Sequence, residues 1–199
     1  MQNKLILASS SPRRQELLKQ VNIPFIVQAT NVDESQITTS VPEQKVKQLA
    51  ILKGSSVSIT DQVVLAADTV VSYNGEIFEK PKDKTDAFDM ISALSGHVHE
   101  VFTGVLIRSS DGEVVFTERT EVEFWRLSKE EIDWYISTDE PYDKAGAYGI
   151  QSIGAMFVKQ IVGDYYNVVG LPLSRVVREL KRFAMYPKNV PEVFHKMQR

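Results

Sequence analysis

The chain of 199 residues contains no cysteine. That absence excludes disulfides, thiolate zinc sites and a cysteine nucleophile together, and it fits a reducing compartment. Basic residues are not in excess either: 23 Lys plus Arg stand against 26 Asp plus Glu, a formal net charge of -3. Such a balance leaves little to coat a polyanionic backbone, so no stable nucleic-acid partner is expected. Long apolar runs are also missing. The first one, from Leu5 to Ala8, is too short for a signal peptide, and nowhere do the roughly 18 apolar residues of a membrane helix occur. The expected location is cytoplasmic, with no membrane partner.

What is present is the balance of an ordinary globular protein, 43% hydrophobic and 25% charged. At roughly 100 to 200 residues per domain, this length predicts one domain, or two small lobes sharing a cleft. Lys4 to Ala8 reads as a buried strand, Ser9 to Ser11 as a polar turn, and Pro12 as the first turn of a helix to about Val21. A strand is expected at Ile23 to Gln28. A helix opens at Pro42 with Val46, Leu49, Ala50 and Leu52 on one side. Val63 to Ala67 reads as a buried strand, followed by a hairpin of Thr69 to Tyr73 and Glu76 to Phe78 around Asn74-Gly75. After a helix from Asp83 to about Leu94, two long strands, Val98 to Arg108 and Val114 to Trp125, are joined through Asp111-Gly112. Ser128 with Glu131 forms a capping-box pattern for a helix to about Ser137. Thr138 to Gly154 reads as a long loop, a feature usually tied to function in a compact chain. Strands near Ala155 to Ile161 and Tyr165 to Val169, and a helix from about Leu171 to Phe183, complete the pattern. The mixture of α/β units and long antiparallel hairpins predicts an α/β fold, a mixed sheet flanked by helices.

Several segments could carry chemistry. Ser9, Ser10, Ser11, Pro12, Arg13 and Arg14 lie between a strand and a helix start, where free N–H groups, hydroxyls and guanidinium groups can grip phosphate. The plainer reading is an N-cap followed by two solvated arginines. Asp68 follows a buried apolar run, a costly place for an acid that is not paired, hydrogen-bonded or metal-bound; a turn aspartate is the alternative. Lys80 in Glu79-Lys80-Pro81 and Lys53 on the preceding helix can act as point charges or simply be solvated. Asp33-Glu34 supplies the hard oxygen donors that Mg²⁺ favours alongside substrate phosphates. In Asp143 to Gln151, two glycines permit close backbone approach, Tyr148 can pack or donate, and Gln151 can pair with a base edge. His97 and His99 share a strand face with no third ligand in sight, so solvated or packed histidines are expected there rather than a metal site.

Taken in order, LILASSSPRR, AADTVV, EKP, LSGHVHEVFTGV, DKAGAYGIQ and GDYYNVVGLPLS resemble the Maf family of nucleoside triphosphate pyrophosphatases. The resemblance runs from about Lys4 to Phe183, which suggests one domain over residues 1–184 and a tail over 185–199 holding Tyr186, Phe194 and His195. It implies a twisted mixed sheet in two lobes around a cleft, similar to the inosine triphosphate pyrophosphatases. It also implies metal-dependent hydrolysis between the α- and β-phosphates, with Mg²⁺ or Mn²⁺ as cofactor. Carried over by motif, Asp68 would accept the proton of the attacking water, with Glu34 beside it near the metal. Ser9, Arg13 and Arg14, with Lys53 and Lys80, would hold the triphosphate. Arg13, Thr69 and Gln151 match the branch acting on dTTP and UTP rather than the branch acting on 7-methyl-GTP. A housekeeping role in removing noncanonical pyrimidine triphosphates follows from the resemblance, as does a possible homodimer. The rival expectations are the 7-methyl-GTP activity and a nucleotide-binding regulator of cell division.

Overall fold

The computed structural model describes residues 4–189. Strands β1 (Lys4–Leu7), β2 (Phe25–Val27), β3 (Gln62–Tyr73), β4 (Glu76–Phe78), β5 (Val98–Ser109), β6 (Gly112–Phe124) and β7 (Val158–Val162) form one seven-stranded sheet. Its order is β2-β1-β3-β5-β6-β7, with β4 added to β3. Pairings of β1 with β2 and with β3 are parallel, and all others are antiparallel. Helices α1 (Pro12–Gln20), α2 (Pro42–Ser55), α3 (Lys84–Leu94), α4 (Lys129–Tyr135), α5 (Tyr165–Val169) and α6 (Leu173–Leu180) flank it. The mixed α/β sheet is the expected architecture.

Strand β3 decides where the cleft opens. The sequence suggested a strand ending at Ala67 and a separate hairpin arm from Thr69, but β3 runs unbroken through Asp68, paired with β5 from Val64 to Ser72. Asp68 is therefore a mid-strand residue. On its other edge β3 pairs with β1 only as far as Leu7↔Leu65 and with β4 only from Val71↔Phe78. The stretch from Ala66 to Val70 has a strand on one side alone, and the cleft occupies this gap. Because side chains alternate along a strand, Asp68 faces α2 with Val64 and Ala66, whereas Thr69 faces α1 and α5.

Helix α2 lies unusually close to the sheet. A Cβ on Gly104 of β5 would sit 2.3 Å from the carbonyl oxygen of Val46, so only glycine admits the helix there. Lys53 lies seven residues beyond Val46, two turns on and on the same side, which aims it into the gap.

Three other expectations are corrected. Tyr165–Val169 is helix α5, not a strand. A five-residue apolar run does not reveal its own period, and here Asp164 caps the turn by accepting from Tyr166 N at 2.8 Å, while Gly170 closes it at φ 119°. Ala155 belongs to a 3-10 turn, Ile153–Phe157, and the strand starts only at Val158. The β5–β6 turn is Ser110-Asp111, since Ser109 pairs with Gly112. The Asn74-Gly75 turn does have both residues at positive φ, 50° and 81°, and the Ser128–Glu131 capping box is formed. The tail begins packed: Met185 is buried, and Lys188 N donates to Asn22 O at 2.8 Å. Phe194 and His195 lie outside the described residues.

Candidate active site

All nine residues expected at the site, Ser9, Arg13, Arg14, Glu34, Lys53, Asp68, Thr69, Lys80 and Gln151, line a single cleft of about 760 Å³. Four elements deliver seven of them, while Lys80 follows β4 and Gln151 lies in the segment before the 3-10 turn Ile153–Phe157. The end of β1 and start of α1 bring Ser9, Arg13 and Arg14; a 3-10 turn, Glu34–Gln36, brings Glu34; α2 brings Lys53; and the half-paired stretch of β3 brings Asp68 and Thr69.

On the α2 side, the Lys53 ammonium sits between two carboxylates, donating to Asp68 Oδ1 at 2.5 Å and lying 3.0 Å from Glu34 Oε1. The Asp68 and Lys53 side chains are 13% and 15% exposed, whereas Glu34 is 52% exposed. The inner pair is thus shielded and the outer carboxylate wet. Among the described residues the only hydrogen bond to the Asp68 carboxylate is that of Lys53 on Oδ1, which leaves Oδ2 to accept one from water or substrate. Lys80 lines the same cleft with an exposed side chain.

On the other side, Arg14 is held by three acceptors: Gly170 O at 2.8 Å from Nε, Ser9 Oγ at 3.2 Å from Nη1 and Thr69 Oγ1 at 3.1 Å from Nη2. A guanidinium has five N–H donors, so two remain for a ligand. Burial draws the Arg14 pKa below its ordinary value; Asp68 opposes that shift, Arg13 adds to it, and Glu34 opposes it. An anion in the cleft would relieve the penalty. Ser9 Oγ accepts from Arg14 and from Ser11 N at 3.2 Å, which leaves its own proton to donate.

The direction of the Thr69 hydroxyl is set from inside the sheet. Thr103 Oγ1 donates to Asn167 O at 3.1 Å and lies 2.9 Å from Thr69 Oγ1. With its proton committed to Asn167, Thr103 must accept from Thr69, and Thr69 in turn must accept from Arg14. Thr103 and Asn167 are fully buried. Neither was apparent from the sequence, where nothing local distinguishes them.

The opposite wall of the cleft is the segment from Asp143 to Ser152. Arg13 crosses to it, donating to Asp143 Oδ2 at 2.8 Å and to Asp143 O at 3.3 Å. Burial would raise the Asp143 pKa, but Lys144 and Arg13 hold it below the usual carboxylate value. The expected loop is a succession of 3-10 turns, Pro141–Asp143, Ala145–Ala147 and Ile153–Phe157. Gly146 adopts φ 68°, and a Cβ there would lie 2.7 Å from Val71 Cγ2, so glycine is required for the wall to meet β3. Tyr148 is buried against Phe124 and His99, and its hydroxyl is 2.9 Å from His99 Nε2. His99 is packed, as expected, and burial lowers its pKa to about 3. His97 is exposed and lies against Tyr73. No group of three or more His, Asp or Glu residues able to hold a metal occurs among the described residues.

The family model described as Maf-like protein matches residues 4–183. The chain belongs to the Maf family. Curated relatives include a dTTP/UTP pyrophosphatase of Bacillus cytotoxicus, 54% identical over 90% of this chain and 95% of that protein. A dTTP/UTP pyrophosphatase of Bacillus anthracis is 52% identical over the same shares. Among solved structures, the Staphylococcus aureus Ham1 protein shows a distant likeness, with 13% identity and a TM-score of 0.43 over 65% of this chain and 88% of that one. The Maf match spans every cleft residue described above. No helix among the described residues is long and apolar enough to cross a membrane.

Proposed function

We propose that this Maf protein is a nucleoside triphosphate pyrophosphatase that hydrolyses dTTP and UTP to the monophosphate and pyrophosphate in the cytoplasm. The observation that carries this reading is the juxtaposition, in one cleft, of a shielded Asp68–Lys53 pair with a buried, pre-oriented Arg14 that has N–H donors to spare. Relatives more than half identical bear the name of that activity.

The chemistry needs little covalent participation by the protein. Positioning, neutralisation of charge and an oriented water provide most of the acceleration in phosphoryl chemistry. Arg14, Arg13, Ser9 and Lys80 bind the phosphate oxygens. Asp68 Oδ2 takes a proton from water as its oxygen bonds to the α-phosphorus, and the bond from that phosphorus to the bridging oxygen breaks, releasing pyrophosphate. Lys53 keeps the Asp68 carboxylate oriented through Oδ1.

The residues fit a divalent cation. Glu34 and Asp68 already converge on one positive charge, the Lys53 ammonium. Two hard carboxylates, with no third such ligand grouped with them among the described residues, make a donor set for an ion that takes its other ligands from phosphate and water, as Mg²⁺ and Mn²⁺ do. Glu34 and Asp68 would hold it. When bound, such an ion neutralises phosphate charge and lowers the pKa of a coordinated water. Gln151 in the opposite wall supplies a carboxamide for the base, and removal of noncanonical pyrimidine triphosphates is the corresponding cellular role.

The test is pyrophosphate release from UTP, dTTP, 7-methyl-GTP and ATP with Mg²⁺ or Mn²⁺, for the wild type and Asp68→Asn. Release from UTP and dTTP that disappears in the variant is expected. Orthophosphate as the product would overturn the bond assignment, and preference for 7-methyl-GTP would overturn the substrate.

A further inference from the structure

A uracil or thymine edge presents two carbonyl acceptors around one N–H donor, and a carboxamide carries one donor and one acceptor. By a half-turn, the Gln151 amide alone would match a cytosine edge as well as a uracil edge. Discrimination therefore depends on the fixed backbone groups beside it, and something must hold that backbone still. Nothing about residues 149–153 supplies this locally, because they form neither strand nor α-helix and Gln151 itself is exposed.

The hold comes from Glu140. Its carboxylate accepts from Ser152 Oγ at 2.6 Å, Gly154 N at 3.0 Å and Tyr135 O–H at 3.3 Å on Oε1, and from Ile153 N at 3.1 Å on Oε2. Three of these four donors belong to the three residues that directly follow Gln151. The main chain of Glu140 is tied as well: its carbonyl accepts from Lys144 Nζ at 2.6 Å. The Lys144 stem passes over Gly149, where a Cβ would lie 2.6 Å from Lys144 Cε, and a Cβ on Gly154 would lie 2.8 Å from Gly149 O. The segment is thus clamped on both sides of Gln151, with Glu140 at the knot. Burial would raise the Glu140 pKa, but Ser152 and the Gly154 and Ile153 N–H groups, with Lys144, bring it below the ordinary value, so the carboxylate is charged where the protein works.

We propose that Glu140 is a positioning residue for base selection: its carboxylate fixes the backbone from Gln151 to Gly154, and this fixed backbone lets the cleft prefer uracil and thymine over cytosine and purines. The inference rests on the proposed function, in which the base lies against Gln151.

Glu140→Gln tests it with little change of shape. A carboxamide has one acceptor oxygen, so it cannot receive both the Gly154 and the Ile153 N–H, and one of them faces an N–H group instead. The readout is the ratio of kcat/KM for UTP to that for CTP, with ATP alongside. We expect this ratio to fall about tenfold, mainly through a higher KM for UTP. Gln151→Ala should lower the ratio as well, and the double variant should lose little more than either single one, because Glu140 acts through that segment. Ser152→Ala removes the shortest of the four contacts without creating an N–H clash, and it should lower the ratio about threefold even if Glu140→Gln folds poorly. An unchanged ratio in Glu140→Gln or Ser152→Ala, an equal loss on every nucleotide, or additive losses in the double variant would overturn the proposal. Wild-type protein that releases no pyrophosphate overturns the proposed function and this inference with it, whereas wild-type release with unaltered selectivity in the variants overturns the inference alone.

Discussion

On one side of the cleft, Arg14 is gripped by acceptors from the turn between β1 and α1, from β3 and from the residue after α5, and Thr69 is backed by Thr103 and Asn167 in the interior of the sheet. On the other side, Gln151 rides on a chain of short turns held by one carboxylate, two glycines and a buried Tyr148–His99 pair. The phosphate side inherits its precision from residues in regular elements or within two residues of their ends. The base side is irregular chain, clamped mainly by contacts within its own segment from Glu140 to Gly154 and braced against β3 at Val71 and β5 at His99. The chemistry of the ligand gives a reason for the division: the triphosphate is common to all nucleotides and can be met by a rigid cradle, whereas the base is the part that distinguishes them.

Four measurements break or sharpen that contrast, from the largest effect to the smallest. Asp68→Asn on the phosphate side should lower kcat by about a thousandfold, the usual scale for losing a general base, while leaving the melting temperature close to that of the wild type. Assays of pyrophosphate release and a thermal melt check both halves. Gly146→Ala attacks the junction between the base wall and β3. With φ at 68° and Val71 Cγ2 only 2.7 Å from the new Cβ, it should destabilise the fold by about 2 kcal/mol, measurable by urea unfolding. Gly75→Ala is the control: its φ is 81°, but nothing lies within 4 Å, so it should cost only about 1 kcal/mol. Equal losses at the two glycines would mean that the wall does not press on β3.

Thr103→Val keeps the shape of the buried side chain and removes its hydroxyl. Thr69 then loses the acceptor that orients it, and Arg14 loses a fixed partner, so kcat/KM should drop about tenfold for every nucleotide alike, with recovery in Thr103→Ser. Loss confined to one base would contradict the division between the two sides. The effect smallest near neutral pH is on stability against pH, and it accumulates only in acid. The native pKa of His99 is lowered to about 3 by burial, below an unfolded value of about 6.5. The unfolded chain therefore binds the extra proton first as pH falls. The contribution is fully present above about pH 6.5 and declines between there and about pH 3, at about 1 kcal/mol per pH unit. Unfolding curves for wild type and His99→Gln should differ in slope over this window and run parallel above it.

How much was legible in the residues depended on how local the signal was. The phosphate cradle is contiguous, Ser9 through Arg14, placed between an apolar run and a proline suited to a helix start, so strand, turn and helix could be read together with their chemistry. Asp68 was found as an acid next to a buried run, although for an imperfect reason: it lies within β3, in the stretch that β1 and β4 leave unpaired, rather than past a strand end. Tyr165 to Val169 was misread because a short apolar run suits a strand or a helix, and its outcome rests on Asp164 and Gly170 at its ends.

Residue types and local spacing determined the α/β class, most element positions and the set of polar side chains the site would draw on, because burial and periodicity act over a few residues. They did not determine which polar groups support the others. Thr103 meets Thr69 across 34 positions and Asn167 across 64, and Glu140 meets three of its four donors across 12 to 14. Hydrogen-bond direction, the gap in the sheet and the clamp on Gln151 arise only when distant segments are brought within about 3 Å, and that is a property of packing, on which no single stretch of sequence carries a mark.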